Sequence, residues 1–348
     1  MTSALRVLPA LRPVRRTRPL PVRVGWVIGG VAALVLVGAA SVAFGVRAVG
    51  WQDVVAGVLG RPQDFAAAAV QNRVPRTALA LLVGAALGLS GAVMQGVTRN
   101  PLADPGILGV SSGAALAVVI GIAFFGLTTP GSYIWVAIGG GAVAALFVYA
   151  VGSAGRGGAT PLKLALAGAA TSAALSALVT AVLLPRVDVM DQFRFWQVGG
   201  VGGADFARIG QVLPFLGVGA VLALVSARGL DAVALGDDVA AGLGAHAGRT
   251  RLVAAAGGVL LAGAATAVAG PIGFVGLAVP HLCRLLVGPR HRWLLPASAL
   301  GGAVLLTAAD VLGRLVARPA ELDVGIVTAL LGAPVFIWIV RRTRVRGL

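Results

Sequence analysis

Long apolar runs parted by short polar joints set the pattern of this chain. Charge-free or nearly charge-free runs cover Val24 to Val46, Thr77 to Thr98, Pro105 to Gly155, Leu164 to Pro185, Ile209 to Ala227, Leu252 to Pro280, Trp293 to Ala309 and Val324 to Val340. A helix needs roughly 20 apolar residues to cross a bilayer. Each run therefore predicts a crossing, and the run from 105 to 155 predicts two, parted at Thr128-Thr129-Pro130-Gly131-Ser132, which makes nine clear spans. The stretch Ile272 to Gly288 is apolar but holds His281 and Arg284. It predicts a tenth crossing, short and buried among other helices, where polar side chains are tolerated. Phe195 to Ala204, too short to span and rich in glycine, predicts a re-entrant helix that lines a path.

Composition and charge give this pattern its solvent and its orientation. The 348 residues are 58% hydrophobic and 11% charged, with a mean hydropathy of +0.95. So little polar material implies that the main solvent is lipid. The net charge of +16 lies between apolar runs, not in a basic stripe interleaved with aromatics, so nucleic acid is excluded as a partner. Arg6, Arg12, Arg15, Arg16, Arg18 and Arg23 precede the first span, and Arg341, Arg342, Arg344 and Arg346 follow the last. Cytoplasmic loops collect basic residues, so both termini are expected in the cytoplasm of a bacterial inner membrane and the number of crossings must be even. With ten crossings the cytoplasmic segments hold 19 of the 28 basic residues and 4 of the 12 acids; a register off by one crossing spoils this asymmetry. The expected organisation is a basic tail 1–23, one transmembrane domain 24–340 with a polar segment 228–251, and a basic tail 341–348. Arg15-Arg16 resembles a twin-arginine export signal, but the apolar run after it is long enough to span and many spans follow.

The 51 glycines point to helices that pack through small side chains, which let backbones approach where no hydrophobic effect drives association. Gly84 with Gly88, and Gly168 with Ser172 and Ser176, are candidate pairs. Cys283 stands alone, cannot form an intramolecular disulfide and is read as packing. A long span, a Gly/Pro-broken turn and a short helix occur at 77 to 125 and again, in the opposite sense, at 252 to 288. That is the form of an inverted repeat, common in transporters.

Four polar joints carry the candidate chemistry. The turn from Arg99 to Gly109 contains two prolines, which deny the helix donors and bias their predecessors away from it, while Asn100 and Asp104 can satisfy the exposed backbone. In the segment 228–251, Leu230, Val233, Ala234, Val239 and Leu243 fall at helical spacing around Gly236 and predict two short amphipathic helices. Such a surface suits either a partner protein's groove or the lipid surface. His281 and His291 lie in the third joint, and Asp310 and Arg314, four residues apart, can pair with each other in the fourth. The only lysine, Lys163, is not in a phosphate-binding loop, and no Cys or His cluster has metal-ligand spacing, so no cofactor or metal is expected on this chain.

Arg73-Val74-Pro75-Arg76, the Gly84 to Gln95 span, the Arg99 to Gly109 turn, the Gly270 to Arg284 segment, Glu321 to Ile326 and Gly332-Ala333-Pro334-Val335-Phe336 together resemble the FecCD-type permease family, in consistent order from about Arg73 to the C-terminus. The resemblance implies an all-α polytopic membrane fold of ten helices, the inverted-repeat type II ABC importer permease. It further implies a second permease copy, identical or related, two cytoplasmic ATPase subunits that hold ATP and magnesium, and an external substrate-binding protein. By the same similarity Arg73, Arg76 and Arg314 match external arginines that dock the binding protein. Leu230, Leu235, Gly236, Leu243 and Gly244 fall in coupling helices that meet the ATPase, and Asn100, Leu102, Thr160 and Pro161 fall at a cytoplasmic gate, with Pro161 and Lys163 departing from the small polar residues expected there. The implied cargo is a ferric siderophore, with haem and cobalamin as alternatives. A secondary transporter would need acids within the spans, and a membrane enzyme acting through His281 or His291 would need a convergent cluster.

Overall fold

The computed structural model describes residues 18–61, 64–154 and 160–342. The tail arginines Arg6, Arg12, Arg15, Arg16, Arg344 and Arg346 lie outside the described residues. Every regular element among the described residues is helical: α1 (Leu20–Ala43), α2 (Trp51–Val58), α3 (Phe65–Thr98), a 3-10 turn (Pro105–Leu108), α4 (Val110–Phe125), α5 (Pro130–Ser153), α6 (Pro161–Leu183) and α7 (Val187–Gln197). The chain continues through α8 (Phe206–Val225), α9 (Ala227–Val233), α10 (Asp237–Gly242), α11 (Ala247–Ala269), α12 (Val275–Val287), α13 (His291–Val316) and α14 (Val324–Arg342). Seven of these are long and apolar enough to cross a bilayer, and α4, α12 and α14 supply three shorter apolar helices. Together they answer one for one to the ten apolar segments of the sequence.

Two elements differ from the sequence reading. Helix α3 begins at Phe65, well before the apolar run at Thr77, because the Asp64 carboxylate caps it by accepting the Ala67 N–H at 2.8 Å. The helix then runs through Pro75, so Arg73 and Arg76 ride on its shaft and not in a loop. Phe195 to Ala204 is not a re-entrant helix: α7 ends at Gln197, and 198–205 is irregular chain beginning with Gly199 at φ +76°. Glycine in that density favours turns over helix, which costs about 1 kcal/mol per glycine relative to alanine.

The core is built on α3 and α13, the most extensively packed pair. A Cβ at Gly84 would overlap the carbonyl oxygen of Gly302, one at Gly88 that of Ser298, and one at Gly91 that of Gly276 on α12. These positions must be glycine for the backbones to lie this close. Helix α11 packs on α3, α5 and α8, and Gly168 of α6 receives the Ile107 carbonyl of the 3-10 turn. The long-helix, broken-turn, short-helix pattern recurs as α3 to α4 and α11 to α12. On the outside, α1 and α6 present exposed apolar residues such as Val35, Leu36, Leu166 and Leu178.

Candidate functional site

The two ends of α13 mark the two ends of the bundle, and each gathers a polar cluster. At its C-terminal end, Arg73 and Arg314 close the end of α1, and Arg76 braces Asp310 beside them. Arg73 donates from Nη1 to the carbonyls of Val42 (3.2 Å) and Ala43 (2.8 Å) and from Nη2 to Arg47 (2.8 Å). Arg314 donates from Nη1 to the carbonyls of Ser41 (3.0 Å) and Phe44 (3.1 Å), and its Nη2 meets Ser41 Oγ and Asp310 Oδ2, each at 2.8 Å. Arg76 grips the fully buried Asp310 through Nε and Nη2 at 2.7 to 3.2 Å and reaches Glu321 Oε2 at 2.6 Å through Nη1. The helix-end carbonyls of α1 that have no intrahelical donor are thus satisfied by guanidinium groups. The Asp310–Arg314 pair expected from spacing is present. The three arginines expected to face a partner's acids already have partners in their own chain. Arg73 and Arg314 are buried, and Arg76 comes nearest the surface, at Glu321.

Beside this cluster lies a cavity of about 440 Å³ lined by Leu79, Tyr133, Gln192, Trp196, Arg208 and Asp323 together with the irregular chain 200–204. Burial pushes the Asp323 carboxyl up from its ordinary value, and the Arg76 charge opposes this. Arg208 is paired with Asp205 at 2.9 Å. The stretch misread as a helix therefore does border a cavity, as glycine-rich loop.

At the other end, α9 and α10 form the two short helices expected around Gly236, which turns the chain at φ +117°, where other residues are strained. Leu230 is fully buried in the subunit, whereas Leu235 and Leu243 are 64% and 66% exposed; Gly244 follows at φ +76°. Asp237 fastens α10: its carboxylate accepts from Arg251 Nη2 at 2.8 Å and Nη1 at 3.1 Å and also pairs with Arg99 at the end of α3. Burial alone would raise the Asp237 carboxyl, but Arg251 and Arg99 outweigh it and hold the group below the ordinary carboxylate range.

The expected gate residues act as local caps. Asn100 Oδ1 accepts the Leu102 N–H at 2.9 Å, and Leu102 is half-buried. Thr160 Oγ1 accepts the Lys163 N–H at 3.4 Å, ahead of Pro161 at the first position of α6. Asp104 caps the 3-10 turn through Gly106 at 2.9 Å; burial pushes its carboxyl up against the effect of that N–H.

One link is absent from the sequence reading. Asp231 of α9 accepts the backbone N–H of His291 at 2.7 Å, and the His291 Nδ1 lies 2.8 Å from the same oxygen. The far side of the His291 ring abuts Gly96 of α3, leaving no room there for a side chain. Asp231 and His291 are 60 residues apart, so no spacing rule could pair them. Among the described residues no group of three His, Cys, Asp or Glu side chains is placed to hold a metal.

Ten apolar helices in a glycine-packed bundle, with a polar cluster at each end, define a multi-pass membrane protein. The chain belongs to the FecCD transport family, whose pattern its residues 33–342 match. It is 48% identical over 277 residues to the iron(3+)-hydroxamate import system permease protein FhuB of Bacillus subtilis (strain 168), covering 79% of this chain and 71% of that one. It is 46% identical over 276 residues to the ferric enterobactin transport system permease protein FepD of Escherichia coli (strain K12), covering 79% and 82%. A solved inward-facing conformation of a metal-chelate type ABC transporter superposes with a TM-score of 0.79 at 30% identity, covering 92% of this chain and 99% of that one. The chain is accordingly a transport subunit of the ABC importer permease class and not an enzyme.

Proposed function

We propose that this chain is the membrane path of an ATP-driven importer of ferric siderophores, with haem and cobalamin as alternative cargo. The similarity to ferric-hydroxamate and ferric-enterobactin permeases over four-fifths of the chain carries this reading. Both termini and the α9–α10 end face the cytoplasm, in keeping with the basic excess of those segments. Two ATPase subunits bind there, against the exposed Leu235 and Leu243 beside the Gly236 and Gly244 turns; Leu230 supports that surface from inside. A second permease copy completes the path. An external binding protein docks at the other end, on the face braced by Arg73, Arg76 and Arg314, where charge gives docking register and on-rate more than affinity.

Transport then follows alternating access. ATP closes the ATPase pair, α9 and α10 carry the motion, and the turn at Asn100 and Leu102 with the start of α6 at Thr160 and Pro161 opens or shuts the cytoplasmic side. The external cavity beside Trp196 and Asp323 is the mouth of the path. Uptake of iron-55 on a panel of siderophores, with labelled haem and cobalamin alongside, tests this in a strain lacking the gene. ATP-dependent uptake of one ferric chelate, restored with the gene, is expected. Restoration of haem or cobalamin alone changes the cargo, and no restoration of any overturns the reading.

A further inference from the structure

A buried arginine with no partner among the described residues stands near an apolar cavity between α1 and the α12–α13 pair. Arg23, in the first turn of α1, is only 4% exposed, and its Nε and Nη2 are buried with no hydrogen-bond partner among the described residues. Residues 1–22 hold no Asp or Glu; the first acid in the sequence is Asp53. A desolvated guanidinium left uncompensated is costly and calls for an anion. Nη2 points toward the α12–α13 joint: a methyl group on Gly288 would sit 3.9 Å from it.

Trp26 and Val27, one helical turn further on, share the face of Arg23. They line an apolar cavity of about 320 Å³ completed by Leu286 and Val287 of α12 and by Leu300 and Val304 of α13. Charge and grease are thus placed in series, the charge at the membrane-face end of α1 and the apolar cavity running toward mid-membrane. Only 6% of the most apolar stretch of α1 is buried in the protein, so lipid has access along this helix.

We infer that this is a binding site for an anionic phospholipid of the leaflet on the α9–α10 side. Its phosphate pairs with Arg23, in the bidentate geometry that guanidinium offers to phosphate, and one acyl chain fills the cavity between α1, α12 and α13. The inference rests on the membrane-spanning character of the chain alone, not on its cargo or partner subunits.

Native mass spectrometry of the full-length protein, titrated in detergent with phosphatidylglycerol, phosphatidylcholine or inorganic phosphate, tests it. The tightest site should prefer phosphatidylglycerol over phosphatidylcholine, whose choline cation offsets its phosphate and is repelled by Arg23, by about tenfold or more. Arg23→Gln should abolish that preference, Arg23→Lys should keep most of it, and Arg18→Gln, at an exposed position upstream, should leave it intact. Gly29→Leu enters the cavity where nothing lies within 4 Å of its Cβ, and should weaken both lipids alike while keeping the headgroup preference. A wild-type protein without headgroup preference, or a preference that survives Arg23→Gln, overturns the proposal. So does inorganic phosphate binding as tightly as phosphatidylglycerol and indifferent to Gly29→Leu, which would make the site one for a small anion and not for lipid. Should Arg23→Gln fail to fold, the wild-type preference, Gly29→Leu and Arg23→Lys still decide.

Discussion

Removing the charge of Asp310 strands two guanidinium groups at once. Arg76 and Arg314 both close on this fully buried carboxylate, and only Arg76 has a second acid, Glu321, to turn to. Breaking a buried pair by taking away one partner costs far more than the pair contributes, so Asp310→Asn should destabilise the protein by about 3–5 kcal/mol. Thermal unfolding in detergent measures this, and a change inside about 0.5 kcal/mol would mean that the arginines are compensated elsewhere. Asp237 tests the opposite end by pH. Its carboxyl is held low in the folded protein, so its contribution is fully present above the ordinary value of about 3.9 and is lost as pH falls through the lowered one. Hydrogen exchange of α10, corrected for intrinsic rate, should stay flat from pH 8 to about pH 5 and rise only in more acid solution. Asp237→Asn should raise it above about pH 5 and converge with the wild type in more acid solution. A rise in the wild type near neutrality would assign the clamp to some other group.

At the scale of elements, the glycines that seat α3 against α13 and α12 are the sharpest constraint. Gly91→Leu should force α3 and α12 apart and cost at least about 1–3 kcal/mol, whereas Gly139→Leu, with nothing within 4 Å of its Cβ, should stay within about 0.5 kcal/mol of wild type. Equal effects would remove close packing as the explanation. The Gly84 and Gly88 face was legible because four-residue spacing on a helix is a local property, and so were the ten apolar segments and the break at Gly236. What the sequence hid was non-local. Arg73-Val74-Pro75-Arg76 precedes the apolar run, and only the fold shows that Asp64 starts the helix early and that partners arrive from α1, 30 residues away, and from α13, more than 200 away. The same holds for Asp231 and His291, which only the tertiary fold brings together. Phe195 to Ala204 was misread for another reason: a glycine-rich stretch too short to span was taken for a re-entrant helix, while its four glycines already spoke for a loop.

For the whole molecule, the exposed leucines at the α9–α10 end make the most direct test of assembly. Leu235→Asp combined with Leu243→Asp changes two side chains that are mostly outside the subunit, so folding and membrane insertion should survive. Co-purification of the ATPase should fall at least tenfold, since charge has been placed where an apolar contact is proposed. Retention of the ATPase would place the contact elsewhere.

Helix α13 begins at the His291–Asp231 joint with α9 and ends at the Asp310–Arg314 brace, with Pro296 interrupting its ladder near the His291 end. Its 26 residues span about 39 Å at 1.5 Å each. A helix pinned at both tips behaves as a connecting rod: a push on α9 must either displace the arginine brace or bend the rod at its proline. The two ends of the bundle therefore share one mechanical part.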